Sequence, residues 1–288
     1  MSITGRTRLA GVFGWPIAHS RSPLLHNHWL AEHAIDGAYV PLAVEPQSFE
    51  DAFRCLGKFG FVGANVTVPY KEAALAYVDE ADELAARVGA VNTVTVGPGG
   101  ELRGSNTDGF GFMSNLTSGA PNWQPERGPV VVIGAGGAAR AVVVTLLDAG
   151  VPELRIINRS SERADALAND ITDQRLSTAA WPDRRQALGD AALLVNTTAA
   201  GLTGHESLDL NIDQLPRDAV VTDLVYDPLI TPLLQQARGR GNPVVDGLGM
   251  LIHQARPGFA AWFGVEPRPT PAVRDLLERD LANNDVES

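Results

Sequence analysis

Lys71 is one of only two lysines in the chain, the other being Lys58. It stands two residues after Pro69, where the apolar run Phe61–Val66 closes and the pattern predicts the start of a helix. Strand ends of this kind border ligand crevices in open α/β sheets. Asp108 stands at a second predicted helix start, in Asn106-Thr-Asp-Gly109, at the expected hinge between two domains. Brought together across a shared crevice, an ammonium and a carboxylate hold a substrate hydroxyl or carbonyl and a proton in one place. In hydride transfer to a ketone, the lysine offers a positive donor to the developing alkoxide. The aspartate fixes the ammonium and accepts a hydrogen bond from a substrate hydroxyl. A surface lysine and a plain helix cap explain the two residues separately, so their pairing is a matter for the fold.

Neutral polar residues recur at the same predicted element ends. Ser20 and Ser22 lie in the turn after the first strand, Asn65 and Thr67 at the end of the third, Asn92 and Thr93 at the start of a hairpin, and Asn106 and Thr107 at its end. Converging on one rim, they suit a small polyhydroxylated acid, whose hydroxyls and carboxylate take hydroxyl and amide partners. Taken singly, each reads as a turn or cap residue. Cys55, alone of its kind, excludes an intramolecular disulfide and is expected buried and inert. His19, His26, His28 and His33 have no metal-ligand spacing, so no metal site is expected and His26 and His28 read as packing or helix-surface residues.

A second chemical signature lies in the middle of the chain. The apolar run after Pro129 leads into Gly134-Ala-Gly-Gly-Ala-Ala-Arg140, a G-x-G-x-x-A pattern at a strand-to-helix turn. Gly134 permits the tight turn, Gly136 lets the backbone approach a pyrophosphate, and small Ala139 lets helix and strand pack closely. The free amide groups at the helix start then meet phosphate oxygens. The next strand, Val151–Ile157, ends in Asn158-Arg159-Ser160 rather than in an acid, with Arg163 one turn further along if Ser160 caps the following helix. A carboxylate there would bond the ribose 2′-hydroxyl of NAD. Arginines attract a 2′-phosphate instead, so the expected cofactor is NADP.

The elements that must position these groups fall into two alternating series. Arg8–Phe13, Ala38–Val44 and Phe61–Val66 read as strands separated by helices Pro23–His33 and Pro46–Leu56, each opened by a proline. A helix follows from Lys71, another covers Asp79–Val88, and Val91–Val96 with Glu101–Arg103 form an antiparallel hairpin at one edge of a mixed sheet. A helix from Phe110 to Leu116, capped by Thr107 or Asp108, and a loop over Ser118–Gly128 lead into the glycine turn. Beyond Asn158 a helix over Ser161–Ala168, strands at Ala192–Val195, Ala219–Leu224 and Pro243–Val245, and a short helix Pro232–Ala237 continue a doubly wound layer. The stretch Asp170–Gly189 is ambiguous. Helices over Met250–Trp262 and Thr270–Leu281 lie outside that alternation and are expected back on the first domain, with Asn283–Ser288 frayed. The expected architecture is α/β in two domains. Residues 1–108 form an α/β substrate domain with a mixed sheet, residues 109–246 a nucleotide domain, and residues 247–288 the returning helices.

Composition sets the remaining bounds. The 288 residues carry 23 basic and 34 acidic groups, a net charge of −11, which disfavours a nucleic-acid or anionic-membrane partner. No apolar run approaches the ~18 residues of a membrane span and no leader pattern is seen, so the cytoplasm is the expected location. Monomer and homodimer both remain open.

Combined, these stretches resemble the NADP-dependent shikimate dehydrogenases of the shikimate/quinate dehydrogenase family. The resemblance is carried by Gly14-Trp-Pro-Ile-Ala-His-Ser-Arg-Ser-Pro-Leu-Leu-His-Asn27, Asn65-Val-Thr-Val-Pro-Tyr-Lys71, Gly89-Ala-Val-Asn-Thr93 and Asn106-Thr-Asp-Gly109. It continues through the glycine turn, Asn158-Arg159, Asn196-Thr-Thr198, Asp223-Leu-Val-Tyr-Asp-Pro228 with Thr231, and Gly247–Ala255. It covers residues from about 8 to 264. It implies a Rossmann-type NADP domain beside a catalytic domain that takes 3-dehydroshikimate or shikimate, and reversible hydride transfer in chorismate and aromatic amino acid biosynthesis. By resemblance, Lys71 and Asp108 are the catalytic pair and Ser20 and Ser22 hold the substrate carboxylate. Asn65, Thr67, Asn92, Asp108 and Gln254 meet its ring hydroxyls. Tyr226 and Gly247 line the crevice near the carboxylate and nicotinamide, and Met250 touches the nicotinamide side. The dinucleotide would contact Gly134, Ala135, Gly136, Gly137, Ala138, Ala139, Thr197, Leu224, Gly247 and Met250, with its 2′-phosphate on Asn158, Arg159, Ser160 and Arg163. Asn196-Thr-Thr-Ala-Ala-Gly201 departs from the family's more usual Asn-Ala-Thr-Ser-x-Gly at Thr197 and Ala199. That departure bears on cofactor affinity rather than chemistry. The family also includes enzymes that accept quinate or NAD. The runner-up reading is such an enzyme, and a non-catalytic NADPH-binding protein leaves Lys71 and Asp108 without a use.

Overall fold

A computed structural model describes residues 3–287. Two compact units emerge: Met1–Asp108 with Leu251–Asp280, and Gly109–Met250 with Leu281–Ser288.

The first unit is built on a six-stranded mixed sheet. Strand β1 (Arg8–Gly14) is followed by helix α1 (Ser22–Glu32), β2 (Gly37–Ala43), α2 (Phe49–Arg54) and β3 (Phe61–Val66), and β1 lies parallel to both β2 and β3. Helix α3 (Lys71–Tyr77) starts at the lysine, because Pro69 has no amide to continue the strand ladder. Strands β5 (Thr93–Val96) and β6 (Leu102–Ser105) are the expected antiparallel pair, with β5 also antiparallel to β3. A two-residue strand, β4 (Glu80–Ala81), adds parallel to β6, giving the order β2-β1-β3-β5-β6-β4. The single helix expected over Asp79–Val88 is therefore replaced by β4 and a shorter α4 (Glu83–Val88). The helix cannot begin earlier because the extended Asp82 is its N-cap, its carboxylate accepting the Ala85 amide at 2.6 Å. Likewise Pro46 opens a 3₁₀ turn, and α2 proper begins only at Phe49.

Cys55 ends α2 and is half-buried with a free thiol, so the expectation of full burial is corrected. The neighbouring positions Phe53 and Leu56 take the inward face instead. His26 is buried within an aromatic cluster, stacked on Tyr39 with ring centroids 4.0 Å apart. Desolvation lowers its pKa to about 3, so it is a neutral packing residue.

The second unit carries β7 (Val130–Ile133), α6 (Gly137–Asp148), β8 (Leu154–Ile157), α7 (Ser161–Ile171), β9 (Leu176–Ala179), β10 (Leu193–Asn196), β11 (Val220–Asp223), α8 (Pro232–Arg240) and β12 (Val244–Val245). All its strand pairs are parallel, in the order β12-β11-β10-β7-β8-β9, the doubly wound arrangement whose direction of progression reverses between β7 and β10. Burial on both faces explains the unbroken apolar run of β7. Val130 and Val132 join one core with Val142, Val143 and Leu146, while Val131 and Ile133 join another with Leu194, Leu233 and Leu234. Strand β9 settles the ambiguous stretch. Its side chains are half-buried or exposed, so the apolar periodicity that marks inner strands is absent from it.

Helix α5 (Asp108–Gly119) starts where the chain passes from the first unit to the second, and α9 (Leu248–Phe263) starts in the second and continues into the first. Within the first unit the Trp262 indole N–H donates to the Val94 carbonyl at 2.9 Å, tying α9 to the sheet. Helix α10 (Pro271–Glu287) outruns its expected end at Leu281, since no proline or glycine follows to stop it. The fraying expected over Asn283–Ser288 is thus replaced by helix as far as Glu287, and Ser288 lies outside the described residues.

Candidate active site

In the first unit, the carboxyl end of β3 and the starts of α3, β5 and α5 bring polar side chains into one connected group. The Lys71 ammonium stands 2.5 Å from Asp108 Oδ2, with the aspartate side chain 5% exposed and the lysine 16%. The other carboxylate oxygen accepts from Asn92 Nδ2 at 2.8 Å. Asn92 also donates to Thr107 Oγ1 at 3.0 Å, with a longer approach of 3.4 Å to Gln254 Oε1. Asn65 donates to the Asn92 carbonyl and to Thr93 Oγ1, both at 3.1 Å. Thr107 donates to the Gln254 carbonyl at 2.8 Å, which draws α9 into the same group.

Local structure explains the placement. Asn65 pairs with Thr93 across the antiparallel β3–β5 ladder, so two strand residues far apart in sequence become neighbours. The Val91 amide donates to the Lys71 carbonyl at 2.8 Å, fixing the start of α3 against the segment that holds Asn92. The start of α5 is secured by Asn106, whose Oδ1 accepts the Asp108 amide at 3.0 Å. Of the two residues expected to cap the helix, Asp108 is corrected: it is already the first helical residue, and its carboxylate faces Lys71 and Asn92, which leaves Thr107 at the cap position. A buried carboxylate held by an ammonium and an amide is ready to accept from a substrate hydroxyl, and an ammonium beside it offers further N–H donors to an oxygen.

The structure therefore joins Lys71, Asp108, Asn92, Asn65 and Gln254. Thr93, Asn106 and Thr107, noted in the sequence only as polar rim residues, hold them in place. Ser22 opens α1 and is buried. Its amide donates to Ser20 Oγ at 3.3 Å, and no hydrogen bond joins either serine hydroxyl to the Lys71 group among the described residues. Thr67 follows β3, its amide donating to the Phe13 carbonyl.

In the second unit the glycine turn sits at the reversal between β7 and β10. Gly134 has φ +116°, and a methyl built on it lies 2.4 Å from Thr197 Oγ1, so only glycine fits. The Thr197 hydroxyl is itself engaged, donating to the Ile133 carbonyl at 2.7 Å. A methyl built on Gly136 meets no atom within 4 Å, which leaves open space in front of the α6 amide groups where a pyrophosphate fits. Gly137 opens α6, Ala135 and Ala138 are half-buried, and Ala139 is fully buried against the sheet.

Asn158 closes β8 and donates to the Ser160 carbonyl at 2.9 Å. Ser160 caps α7, its hydroxyl accepting the Arg163 amide at 3.4 Å while donating to Glu162 Oε2 at 2.7 Å. Arg159 and Arg163 are exposed and form no ion pair among the described residues, which suits a 2′-phosphate. Leu224 is half-buried and its amide is bonded to the Asn196 carbonyl at 2.9 Å. A methyl on Gly247 lies 2.4 Å from the Leu224 carbonyl oxygen, so these backbones touch. Tyr226 is half-buried, and Met250 packs in the core with Leu146 and Phe112. The open space at Gly136 and the two exposed arginines after β8 fit a bound NADP.

Two groups beyond the sequence reading emerge. Tyr39, 2% exposed, donates to Asn65 Oδ1 at 2.7 Å. Nothing in a strand of aliphatic residues marks it out, because its partner is brought close only by sheet register. Asp223, at the end of β11, is buried, forms no ion pair among the described residues, and accepts from Asn196, Thr231 and the Val225 amide. Burial pushes its pKa up to about 6, against the pull of those three donors. Its segment carries the family resemblance, but nothing local in it marks the aspartate as buried.

Comparison with known proteins agrees with this geometry. Residues 12–94 match the family model described as the shikimate dehydrogenase substrate binding domain, and residues 122–223 match the one for shikimate / quinate 5-dehydrogenase. The shikimate dehydrogenase (NADP(+)) of Paramagnetospirillum magneticum is 56% identical over 275 residues, covering 96% of this chain and 99% of that protein. Among solved structures, shikimate dehydrogenase from Aquifex aeolicus superposes with a TM-score of 0.87 at 33% identity, covering 96% of this chain and 99% of that one. The Thermus thermophilus shikimate 5-dehydrogenase, in complex with NADP(H) and shikimate, has a TM-score of 0.84 at 36% identity, covering 95% and 99% of the two chains. With such identity sustained over nearly the full length of its relatives, and with the lysine–aspartate pair and glycine turn both in place, this chain belongs to the shikimate dehydrogenase family.

Proposed function

We propose that this protein is a shikimate dehydrogenase, an NADP-dependent oxidoreductase that reversibly reduces 3-dehydroshikimate to shikimate. The observation that carries the reading is the 2.5 Å Lys71–Asp108 pair, buried among neutral amide and hydroxyl donors. Bound NADPH supplies the hydride. The Lys71 ammonium donates to the ketone oxygen, stabilises the charge that develops there and passes that oxygen the proton that completes the hydroxyl, the resulting amine taking a proton back from solvent. Asp108 holds the ammonium in place and accepts from a neighbouring ring hydroxyl. Asn65, Thr67, Asn92 and Gln254 take the other hydroxyls, and Ser20 and Ser22 take the carboxylate. Residues 1–108 with the C-terminal helices carry the substrate, and residues 109–246 carry the dinucleotide.

Tyr226 lies near the carboxylate. The dinucleotide meets Gly134–Ala139, Thr197, Leu224, Gly247 and Met250, with its 2′-phosphate on Asn158, Arg159, Ser160 and Arg163. Arg159 and Arg163 support NADP over NAD because a 2′-phosphate forms charge-assisted bonds that a hydroxyl cannot. A negatively charged protein acting on a small metabolite suits the cytoplasm, as a monomer or homodimer without a nucleic-acid partner.

The test is oxidation of shikimate and of quinate by the purified protein, each with NADP+ and with NAD+, followed by nicotinamide absorbance. The expected outcome is the highest kcat/KM with shikimate and NADP+. NADPH binding with no turnover of either acid contradicts the reading.

A further inference from the structure

We propose that Tyr39 is a positioning residue for the Lys71–Asp108 pair, acting through the side chains of Asn65, Thr93 and Asn92. The inference rests on the functional reading above and adds a residue that touches neither member of the pair.

Sheet register brings the phenol to Asn65. Tyr39 on β2 pairs with Ala10 of β1, and Asn65 on β3 pairs with Val12 of the same strand. Ala10 and Val12 are two residues apart and face the same side, so Tyr39 and Asn65 share one face of the sheet and the tyrosine reaches across β1. His26 stacks on the phenol ring at 4.0 Å with planes 2° apart, holding it in that direction.

Donor and acceptor roles then run in one sense from the phenol to the carboxylate. Tyr39 is fully buried, and burial raises its pKa well above the ordinary value, so it remains an O–H donor. Asn65 Oδ1 accepts that hydrogen at 2.7 Å. Asn65 Nδ2 must be the other atom, because one of its partners, the Asn92 backbone carbonyl at 3.1 Å, only accepts. Its second hydrogen goes to Thr93 Oγ1 at 3.1 Å, leaving the Thr93 hydroxyl to donate to Asn92 Oδ1 at 3.0 Å. Asn92 Oδ1 also receives the Thr107 amide at 2.8 Å, so Asn92 Nδ2 faces Asp108 Oδ1 at 2.8 Å. Tyr39, Asn65, Thr93, Asn92 and Asp108 are each at most 5% exposed, so water has little access to replace a missing link.

Removing the phenol hydroxyl leaves Asn65 Oδ1 without its donor, and the amide turns or shifts to find another. Thr93 and Asn92 must follow, and the carboxylate that aligns Lys71 loses its fixed direction. Such a change alters substrate turnover, while the dinucleotide residues, all in the other unit, are untouched.

The experiment measures kcat/KM for shikimate and KM for NADP+ in Tyr39→Phe, Thr93→Val and the double variant, well below their unfolding temperatures. Each single variant is expected to lower kcat/KM for shikimate by about tenfold with KM for NADP+ within about twofold of wild type. Because both cut one chain, the double variant should be no worse than the poorer single variant. Losses that multiply, or a Tyr39→Phe enzyme within twofold of wild type for shikimate, overturn the proposal. Should Tyr39→Phe not fold, an unchanged Thr93→Val enzyme overturns it equally. Wild-type turnover of shikimate separates the two readings. Without that turnover the functional reading fails and takes this one with it. With it, unchanged variants sink only the role of Tyr39.

Discussion

At the scale of single residues, the chemistry concentrates on one ammonium. Lys71 is the only lysine near the polar group of the first unit, and its 2.5 Å contact with Asp108 leaves N–H donors over for a substrate oxygen. Lys71→Ala removes the positive donor, and kcat for shikimate oxidation should fall by about a hundredfold or more, with NADPH affinity by fluorescence titration unchanged. Asp108→Asn keeps the volume but presents an amide to the ammonium, and kcat should fall by about tenfold or more. A Lys71→Ala enzyme with near-normal kcat removes the lysine from the mechanism. The residue types and spacing around both positions were readable from the chain. That they meet came only from the family resemblance and not from local pattern, because 37 residues separate them and the contact depends on α3 and α5 starting side by side.

At the scale of elements, the glycine turn separates two uses of the same amino acid. Gly134 is required by the protein itself: its φ of +116° and the 2.4 Å approach to Thr197 leave no room for a side chain. Gly136 has a φ of −99° and empty space before it, so its smallness serves what sits in front of the turn. Gly134→Ala should therefore destabilise the protein by about 1–3 kcal/mol, read as a lowered Tm. Gly136→Ala should leave Tm within about a degree of wild type yet weaken NADPH binding by about tenfold. Equal effects on stability in the two variants contradict this division. Element types and starts in the strongly apolar stretches were legible for the same reason that β7 is: an inner strand buried on both faces cannot tolerate polar residues. The exposed strand β9 and the two-residue β4 carry no such constraint, and neither was legible.

For the molecule as a whole, one buried acid links stability to pH. Asp223 has an ordinary pKa of 3.8, raised in the folded protein to about 6, chiefly by desolvation. Between those values the native state binds more protons than the unfolded chain, so this group's contribution to stability falls as pH rises through that window. A shift of about two units corresponds to about 3 kcal/mol, which is lost in full above about pH 6 and recovered below about pH 4. Asp223→Asn has no such titration. The stability of wild type relative to Asp223→Asn should therefore improve as pH is lowered from about 7 to about 4.5, measured by denaturant unfolding of both proteins. A gap that stays constant over that range rejects the assignment.

What the chain alone determined is whatever depends on neighbours along it. The period of apolar residues marks strands and helices, the glycine spacing marks a turn open to phosphate, and the missing acid after β8 favours NADP. Motif resemblance identifies the family from the same local strings. Tertiary structure decided the rest, because hydrogen-bond direction and burial depend on atoms brought together from distant segments. Sheet register alone puts the Tyr39 hydroxyl on Asn65, and the packing of β10, β11 and α8 alone buries Asp223 among neutral donors. Neither a tyrosine in an aliphatic strand nor an aspartate at a strand end announces those surroundings in its own sequence.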